Sequence, residues 1–240
     1  MEEKRIKVLT LGDMPLSTSG VGNQTKYMIE ALLKSGKFEV FSLGGAMKHP
    51  QYQLIKTEEW GDLWKILPVD QFGTKEMVRS VVWREKPDIV WFMTDPRFWG
   101  WLWEIDNEIR TNVPMVYYHV WDNYPYPKYN KKFYESNDVI ATISKLTDDI
   151  VRTVAPDVET HYIPHAVNTE VFKKLDDEVI ENLKKENKGP DGRSLEDRFV
   201  VLFNSRNARR KHSGTLVFWF KEFLERVGKD KAVLIMHTEP

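Results

Sequence analysis

Residues 7–23 have the sequence KVLTLGDMPLSTSGVGN, in which a short apolar run gives way to a loop of small and polar residues. The branched and apolar side chains at 7–11 predict a buried β-strand, and the apolar spacing further along predicts a helix at 24–34. Strand, small-residue loop and helix, in this order, open a parallel α/β domain. Gly20 and Gly22 lie where the helix begins, so a ligand can approach the backbone there and phosphate can bind at the helix N-terminus.

This glycine pair leaves two interpretations open. In many α/β proteins small residues only form the turn between a strand and a helix, and Gly20-x-Gly22 lacks the rest of the G-x-G-x-x-G fingerprint. The alternative is a loop that binds a diphosphate group. Asp13, at the end of the strand, fits both interpretations because its side chain can cap the loop.

The same alternation of strand and helix continues along the chain and predicts an α/β fold, a Rossmann-like parallel sheet with helices on both faces. Further strands are predicted at 38–43, 64–69, 89–93, 115–119, 138–141 and 160–163, and further helices at 75–85, at 99–110 and after an N-cap at Ser144. Pro125 and Pro127 exclude regular structure from the aromatic loop at 121–129.

A change in composition after residue 175 predicts a domain boundary. The segment 176–197 is polar and contains the turn-forming run GPDG at 189–192, which is typical of a linker. A strand at 199–203, a helix at 214–227 and a strand at 232–236 follow. We therefore expect a first Rossmann-like domain at 1–175 and the start of a second, incomplete one at 198–240.

The composition disfavours several classes of protein. The 35 Lys and Arg residues are balanced by 36 Asp and Glu residues, whereas a protein that binds duplex nucleic acid usually has a basic excess. Since there is no cysteine, disulfides, thiolate metal sites and a cysteine nucleophile are excluded. The most apolar stretch, 89–105, is too short and too charged to span a bilayer. We expect a soluble, cytoplasmic protein that binds no nucleic acid, metal ion or cofactor.

A basic loop follows the first strand of the second domain. Residues 204–211 have the sequence NSRNARRK and lie between a strand and a helix, at the sheet edge where ligands bind in open α/β folds. Arginine and lysine there can hold a diphosphate and neutralise a departing nucleotide. A solvated loop and a nucleic-acid patch are the alternatives, and the near-neutral net charge disfavours the second.

Together these motifs resemble the GT4-like glycosyltransferases of the GT-B fold. Residues 18–22 (TSGVG) are similar to the glycine motif in the first loop of that family. Residues 162–168 (YIPHAVN), with Phe172 beyond them, resemble the P-H-G-V-D…F segment that closes its N-terminal domain. Arg206 and Lys211 resemble the arginine and lysine that bind the donor diphosphate. The three motifs follow the family's order across nearly the whole chain.

The resemblance implies a retaining glycosyltransferase with a nucleotide-diphosphate sugar as donor and no named protein nucleophile. Gly20 and Gly22 would meet the phosphates from one domain, and Arg206 and Lys211 from the other, without a metal ion. His119 ends the strand MVYYH and matches a histidine that many such enzymes place near the transferred sugar. A polar residue satisfied within the fold is the other interpretation of this histidine.

The acceptor side is predicted at the same sheet edge. Asp95 follows the strand at 89–93 and either contacts an acceptor hydroxyl or forms the turn before Pro96. The aromatic loop at 121–129 and its lysines either bind the acceptor or are solvated. Asp95 and His119 are the two candidate catalytic residues.

The sequence departs from the family in places, and alternatives remain. Ala166 and Asn168 replace a glycine and an aspartate, and the family's E-x7-E glutamate pair is expected beyond residue 240. A nucleotide-sugar epimerase would need a carboxylate-rich cleft, and a scaffold protein derived from a glycosyltransferase would need no turnover. The nucleotide base, the sugar, and a saccharide, lipid or protein acceptor stay open. The sequence also leaves open a peripheral membrane contact, the formation of an oligomer, and a partner chain that completes the second domain.

Overall fold

The computed structural model describes residues 4–239, which divide into two compact units. The first unit ends at Val167 and the second begins at Asn168. Each unit has its own sheet, and each is an α/β arrangement. The helices within the described residues are all too short or too polar to cross a lipid bilayer.

Eight strands form the sheet of the first unit. They are β1 (Ile6–Asp13), β2 (Phe38–Gly45), β3 (Ile55–Lys56), β4 (Trp64–Pro68), β5 (Ile89–Thr94), β6 (Met115–His119), β7 (Val139–Thr142) and β8 (Glu159–Tyr162). Their order across the sheet is β3-β4-β2-β1-β5-β6-β7-β8, and all pairs are parallel except β3 with β4. The predicted parallel α/β sheet is therefore confirmed. The chain winds one way from β1 and the other way from β5, so the strand order reverses between these two strands.

Both faces of this sheet are buried, as a doubly wound sheet requires. Along β1, Leu9 and Leu11 belong to one apolar cluster, whereas Val8 belongs to another on the opposite face. This alternation follows from the two-residue period of a strand. The α-helices in the described part of the unit are α1 (Gly20–Lys34), α2 (Lys75–Glu85), α3 (Gly100–Trp103), α4 (Asp106–Arg110), α5 (Lys131–Glu135) and α6 (Lys145–Val154).

The single helix predicted at 99–110 is wrong, because the structure divides it into α3 and α4. In a continuous helix, Trp103 and Ile105 would point about 200° apart around the axis. Both side chains are nevertheless buried in the same apolar cluster. The break between the two helices lets both pack against one face of the sheet. The predicted cap of α6 is confirmed, since Ser144 Oγ accepts a hydrogen bond from the Thr147 amide at 3.0 Å.

The second unit contains α7 (Asp177–Glu186), β9 (Phe199–Asn204), α8 (Ser213–Val227) and β10 (Ala232–His237). β9 and β10 pair in parallel, so β9, α8 and β10 form the expected βαβ unit. The segment 176–197, for which we expect a linker, includes α7. Acidic residues in the first turn of α7 and lysines in the last turn suit the helix dipole, which explains a helix in so polar a segment.

Candidate functional site

The candidate residues of the first unit lie at one edge of its sheet. β1 ends at Asp13, β5 ends at Thr94 and β6 ends at His119, and these parallel strands are neighbours. The reversal of strand order between β1 and β5 opens a crevice at the carboxyl ends of open α/β sheets, and ligands of such folds bind there. The glycine loop between β1 and α1 therefore borders the usual ligand position of this kind of fold.

The glycine loop forms the first turn of α1. Ser19 is the N-cap, and its Oγ accepts a hydrogen bond from the Gly22 amide at 2.8 Å. The same Oγ donates to Asp13 Oδ2 at 2.7 Å, so the strand end fixes the cap. Within residues 4–239, the amides of Gly20 and Val21 have no hydrogen-bond acceptor. Two free N–H groups at the positive end of a 15-residue helix are the usual requirement for binding an anion.

The predicted start of this helix at Gln24 is wrong, because α1 begins four residues earlier, at Gly20. The apolar spacing that predicts the helix lies at 27–32, and glycine is a poor helix former, so the sequence does not indicate a helical turn at Gly20. In the structure the Ser19 cap outweighs this low propensity. The correction places both glycines inside the helix, with their amides at its N-terminal end.

The two glycines differ in their surroundings. A Cβ atom at Gly22 would lie 2.6 Å from the Met14 carbonyl oxygen and 2.6 Å from Ser17 Oγ, so only glycine fits without a shift of the loop. A Cβ atom at Gly20 would have no neighbour within 4 Å among the described residues. The packing of the loop therefore accounts for Gly22. Gly20 has no such packing role, and its bare backbone is open to a ligand.

Asp13 complicates the electrostatics of the loop. Burial raises the pKa of its carboxyl group, and the hydrogen bond from Ser19 lowers that pKa in part. An ionised Asp13 would repel a phosphate at the neighbouring helix N-terminus, since like charges this close oppose each other. The raised pKa reduces the cost of neutralising Asp13 when an anion binds.

The structure brings the glycine loop and the segment at 162–168 together. Gln24 Nε2 donates to the Ala166 carbonyl oxygen at 2.7 Å, and the Ala166 amide donates to Gln24 Oε1 at 3.2 Å. The Tyr118 hydroxyl donates to the Ile163 carbonyl at 2.8 Å. Two motifs separated by more than 140 residues in sequence thus form one structure at the sheet edge. Gln24 is a residue that the sequence analysis missed.

His119 is completely buried at the end of β6. Its Nε2 atom lies 2.8 Å from the Tyr134 hydroxyl, and its Nδ1 atom has no partner within residues 4–239. Burial lowers the pKa of the imidazole to about 3, so the ring is neutral at physiological pH. Direct contact with a sugar would require the surrounding side chains to move. A role of His119 at the sugar stays a prediction, and Tyr134 is a partner that no sequence signal indicated.

Asp95 has the geometry of a turn-forming residue. Its carboxylate accepts hydrogen bonds from the Arg97 amide at 2.9 Å, Nε at 2.8 Å and Nη2 at 2.9 Å. Both carboxylate oxygens are therefore occupied by the same arginine, which the sequence analysis did not single out. Contact of Asp95 with an acceptor stays a prediction, and Oδ2, which accepts one hydrogen bond from Arg97, has a lone pair left for it.

In the second unit, Arg206 and Lys211 lie in the loop between β9 and α8, as the sequence predicts. The Arg206 side chain is 80% exposed and its Nε atom is 3.8 Å from Glu239 Oε2. Lys211 is exposed and ends a short 3-10 turn that directly precedes α8. No group of three His, Cys, Asp or Glu side chains in the described part of either unit could hold a metal ion.

Comparisons with known proteins identify the fold. The chain matches no family model and no curated protein sequence. It is similar to three solved structures, each at a TM-score of 0.62: OtsA in its apo form, trehalose-6-phosphate synthase OtsA, and a structure described as trehalose-6-phosphate from E. coli bound with UDP-2-fluoro glucose. In the order in which the three structures are named, the sequence identities are 10%, 11% and 11%. The alignments cover 98%, 98% and 97% of this chain, in the same order.

These neighbours are GT-B proteins, and the chain therefore has an α/β fold of the GT-B type. It spans 65% to 66% of the length of these three chains. Sequence identity at this level establishes the fold alone. Membership of the GT4-like family in particular stays a prediction.

Proposed function

We propose that this chain is a glycosyltransferase that moves a sugar from a nucleotide-diphosphate sugar to an acceptor hydroxyl. The observation that carries the proposal is the glycine loop at the sheet's switch point, where the amides of Gly20 and Val21 have no acceptor among residues 4–239. The GT-B fold of the chain supports the proposal, because it gives that loop the position of a ligand site. Retention of anomeric configuration and membership of the GT4-like family are further parts of the proposal.

We assign the donor diphosphate to two loops, one in each unit. In the first unit the free amides and the α1 dipole attract the phosphates, and Gly20 leaves room for them. In the second unit Arg206 and Lys211 supply positive charge for the nucleoside diphosphate that leaves, which is how preorganised cations speed phosphate departure. Arg206 would exchange its distant contact with Glu239 for the phosphate. UDP is the first nucleotide to test, because one structural neighbour was solved with UDP-2-fluoro glucose.

The proposal is tested by thermal unfolding of the chain with UDP, GDP and ADP. A nucleotide at a hundred times its Kd adds about 2.7 kcal/mol to the free energy of unfolding. For a chain of this length, the Tm then rises by about 5–10 °C. Release of labelled sugar from the matching nucleotide-sugar tests transfer. An unchanged Tm with all three nucleotides, together with no sugar release, overturns the proposal.

A scaffold protein with this fold is the second candidate, and one observation favours it. Phe218, Trp219 and Phe223 on α8 are exposed large apolar side chains, which usually mark a surface that binds another protein. Sedimentation velocity over a range of concentrations detects such association. Stable association without nucleotide binding favours the scaffold, and nucleotide binding by a monomer favours the enzyme.

A further inference from the structure

A second feature of the first unit lies beside the glycine loop. A cleft of about 370 Å³ is bounded by the residues after β1, by the loop after β2 and by the start of β3. Its apolar walls include Met14, Leu16, Met47, Leu54 and Ile55. Small-molecule sites typically have this size and this predominance of apolar lining.

The apolar walls are open to solvent although nearby apolar side chains are buried. Leu16, Met47 and Leu54 are each exposed to between 44% and 47% and face one cleft, whereas Met14 at its base is buried. Exposed apolar residues that cluster in a concave surface mark a binding groove more often than singly scattered ones do. An apolar ligand would remove this surface from water.

The cleft also offers a few polar groups. His49 lines it, and the His49 Nε2 atom is shielded from solvent without a hydrogen-bond partner among residues 4–239. Since buried polar atoms are normally paired, this nitrogen is an unused hydrogen-bonding group, and a ligand in the cleft would reach it once the histidine ring turned. Tyr52 packs edge-on against the His49 ring with the ring centres 5.9 Å apart, and its hydroxyl donates to Asp70 at 2.5 Å.

The cleft shares a wall with the candidate donor site. Met14 and Ser17 line the cleft, and the same two residues are those that a Cβ atom at Gly22 would touch. The glycine loop thus has the helix N-terminus on one side and the cleft on the other. The cleft is therefore adjacent to the loop to which we assign the donor diphosphate.

We propose that this cleft binds the apolar part of an acceptor alcohol or phenol, so that the acceptor is an amphipathic hydroxyl compound and not a free monosaccharide. This inference rests on the proposed function. In the transfer, the acceptor oxygen forms a bond to the anomeric carbon while the bond from that carbon to the diphosphate oxygen breaks. The nucleoside diphosphate leaves with the electron pair, and the acceptor proton passes to the leaving phosphate or to solvent.

Methionine methyl groups provide a direct measurement of binding. The chain has 8 methionines, of which Met14 and Met47 line the cleft. In the ¹³C-methyl spectrum of the full chain, 1-octanol at millimolar concentration is expected to shift the Met47 and Met14 signals, and D-glucose is not. The two signals are assigned with Met→Leu variants. Shifts of all methionine signals alike, or shifts caused by glucose and not by octanol, overturn the inference.

Leu54→Glu and Leu183→Glu form a matched pair of variants. Leu54 is 47% exposed in the cleft, and Leu183 is 46% exposed on α7 in the other unit. The first change is expected to weaken octanol binding by about tenfold, because a charge replaces apolar contact area, and the second is expected to leave it unchanged. Equal affinities of the two variants overturn the inference. His49→Phe keeps an aromatic side chain and removes both ring nitrogens, and it is expected to weaken octanol binding by about threefold.

The same samples separate failure of the cleft from failure of the proposed function. A Tm rise with UDP together with no octanol shift removes the cleft inference and leaves the glycosyltransferase proposal intact. Octanol shifts without any nucleotide binding remove the acceptor role of the cleft along with the proposed function. If UDP alone shifts the Met47 signal, the cleft holds the nucleoside and the acceptor inference is wrong.

Discussion

Gly20→Ala and Gly22→Ala are predicted to have opposite effects on stability, and Gly20→Ala is also predicted to weaken donor binding. At Gly22 the new methyl group would lie 2.6 Å from the Met14 carbonyl oxygen, a distance that real side chains do not adopt. The loop must shift, and overpacking of this kind costs about 1–3 kcal/mol. At Gly20 the methyl group has no neighbour within 4 Å among the described residues. Replacing glycine by alanine in a helix then stabilises the protein by up to about 1 kcal/mol.

Gly20→Ala is also predicted to weaken nucleotide binding. If the diphosphate approaches the Gly20 amide, a Cβ atom there stands close to the phosphates and lengthens the hydrogen bonds to the free amides. Loss of one charge-assisted hydrogen bond costs about 1.5–3 kcal/mol, so the Kd for UDP is expected to rise at least about tenfold in Gly20→Ala. Urea unfolding measures the stability of each variant, and isothermal titration calorimetry measures UDP binding.

The result that refutes this reasoning is a Gly20→Ala variant that binds UDP as tightly as the parent chain. The backbone at the helix N-terminus would then not contact the diphosphate, and Gly20 would be an ordinary turn residue. An unchanged stability in Gly22→Ala would separately contradict the packing of the loop. Thr18, an exposed residue just before the Ser19 cap, provides the control, because Thr18→Ala is expected to change neither quantity.

Three further predictions follow from the site. The double variant Arg206→Ala/Lys211→Ala is expected to lose the Tm rise with UDP. Its Tm without nucleotide is expected to change little, because both side chains are exposed. Differential scanning fluorimetry measures both Tm values, and a retained rise with UDP would contradict a donor role of the basic loop. The pKa of His119 is about 3 in the folded chain, whereas 6.5 is the ordinary value. The free energy of unfolding is therefore expected to fall with a slope of about 1.4 kcal/mol per pH unit as pH drops below 6.5. Urea unfolding between pH 7.5 and pH 5 should show a shallower fall in His119→Gln, and equal slopes in the two proteins would contradict the burial of His119. Asp13→Asn keeps an acceptor for the Ser19 hydroxyl and removes the negative charge, so UDP is expected to bind about threefold to tenfold more tightly by calorimetry; weaker binding would show that the carboxylate assists the ligand.

Much of the fold was predictable because local signals agreed with the tertiary structure. The predicted helix at 75–85 and the predicted strand at 115–119 coincide with α2 and β6. At α2 the capping residue Thr74, which bonds the Met77 amide, and the helix end before Pro87 define both boundaries. At β6 a run of apolar and aromatic residues is buried between two neighbouring strands.

The predictions failed where long-range contacts decide the local structure. β3 is only two residues long and exists because β4 pairs with it, so no periodic pattern could indicate it. The break between α3 and α4 depends on which side chains must be buried against the sheet. α5 follows the aromatic loop with five residues only, too few for a helical period to be seen.

The candidate site was predictable in position but not in its contacts. The sequence placed Asp95 and His119 at strand ends and Gly20 at the start of the helix after β1, and parallel topology brings these positions to one edge. It contained no signal for the pairing of Gln24 with Ala166, because that pairing joins residues far apart in the chain. The contact that His119 makes with Tyr134 of α5 carried no signal in the sequence either, because it depends on how α5 packs at the end of β6.

The end of β5 adds a physical reason to regard this sheet edge as functional. Thr94 has a φ of 134°, a left-handed value that is unfavourable for a β-branched residue and costs about 1–3 kcal/mol. Its carbonyl oxygen accepts a hydrogen bond of 2.6 Å from the buried Tyr117 hydroxyl, and Asp95 fixes the turn that follows through Arg97. A glycine would have avoided this strain. The surrounding contacts hold the strained residue beside the β1 switch point, where strand order and the α1 amides without an acceptor among residues 4–239 support the proposed ligand site.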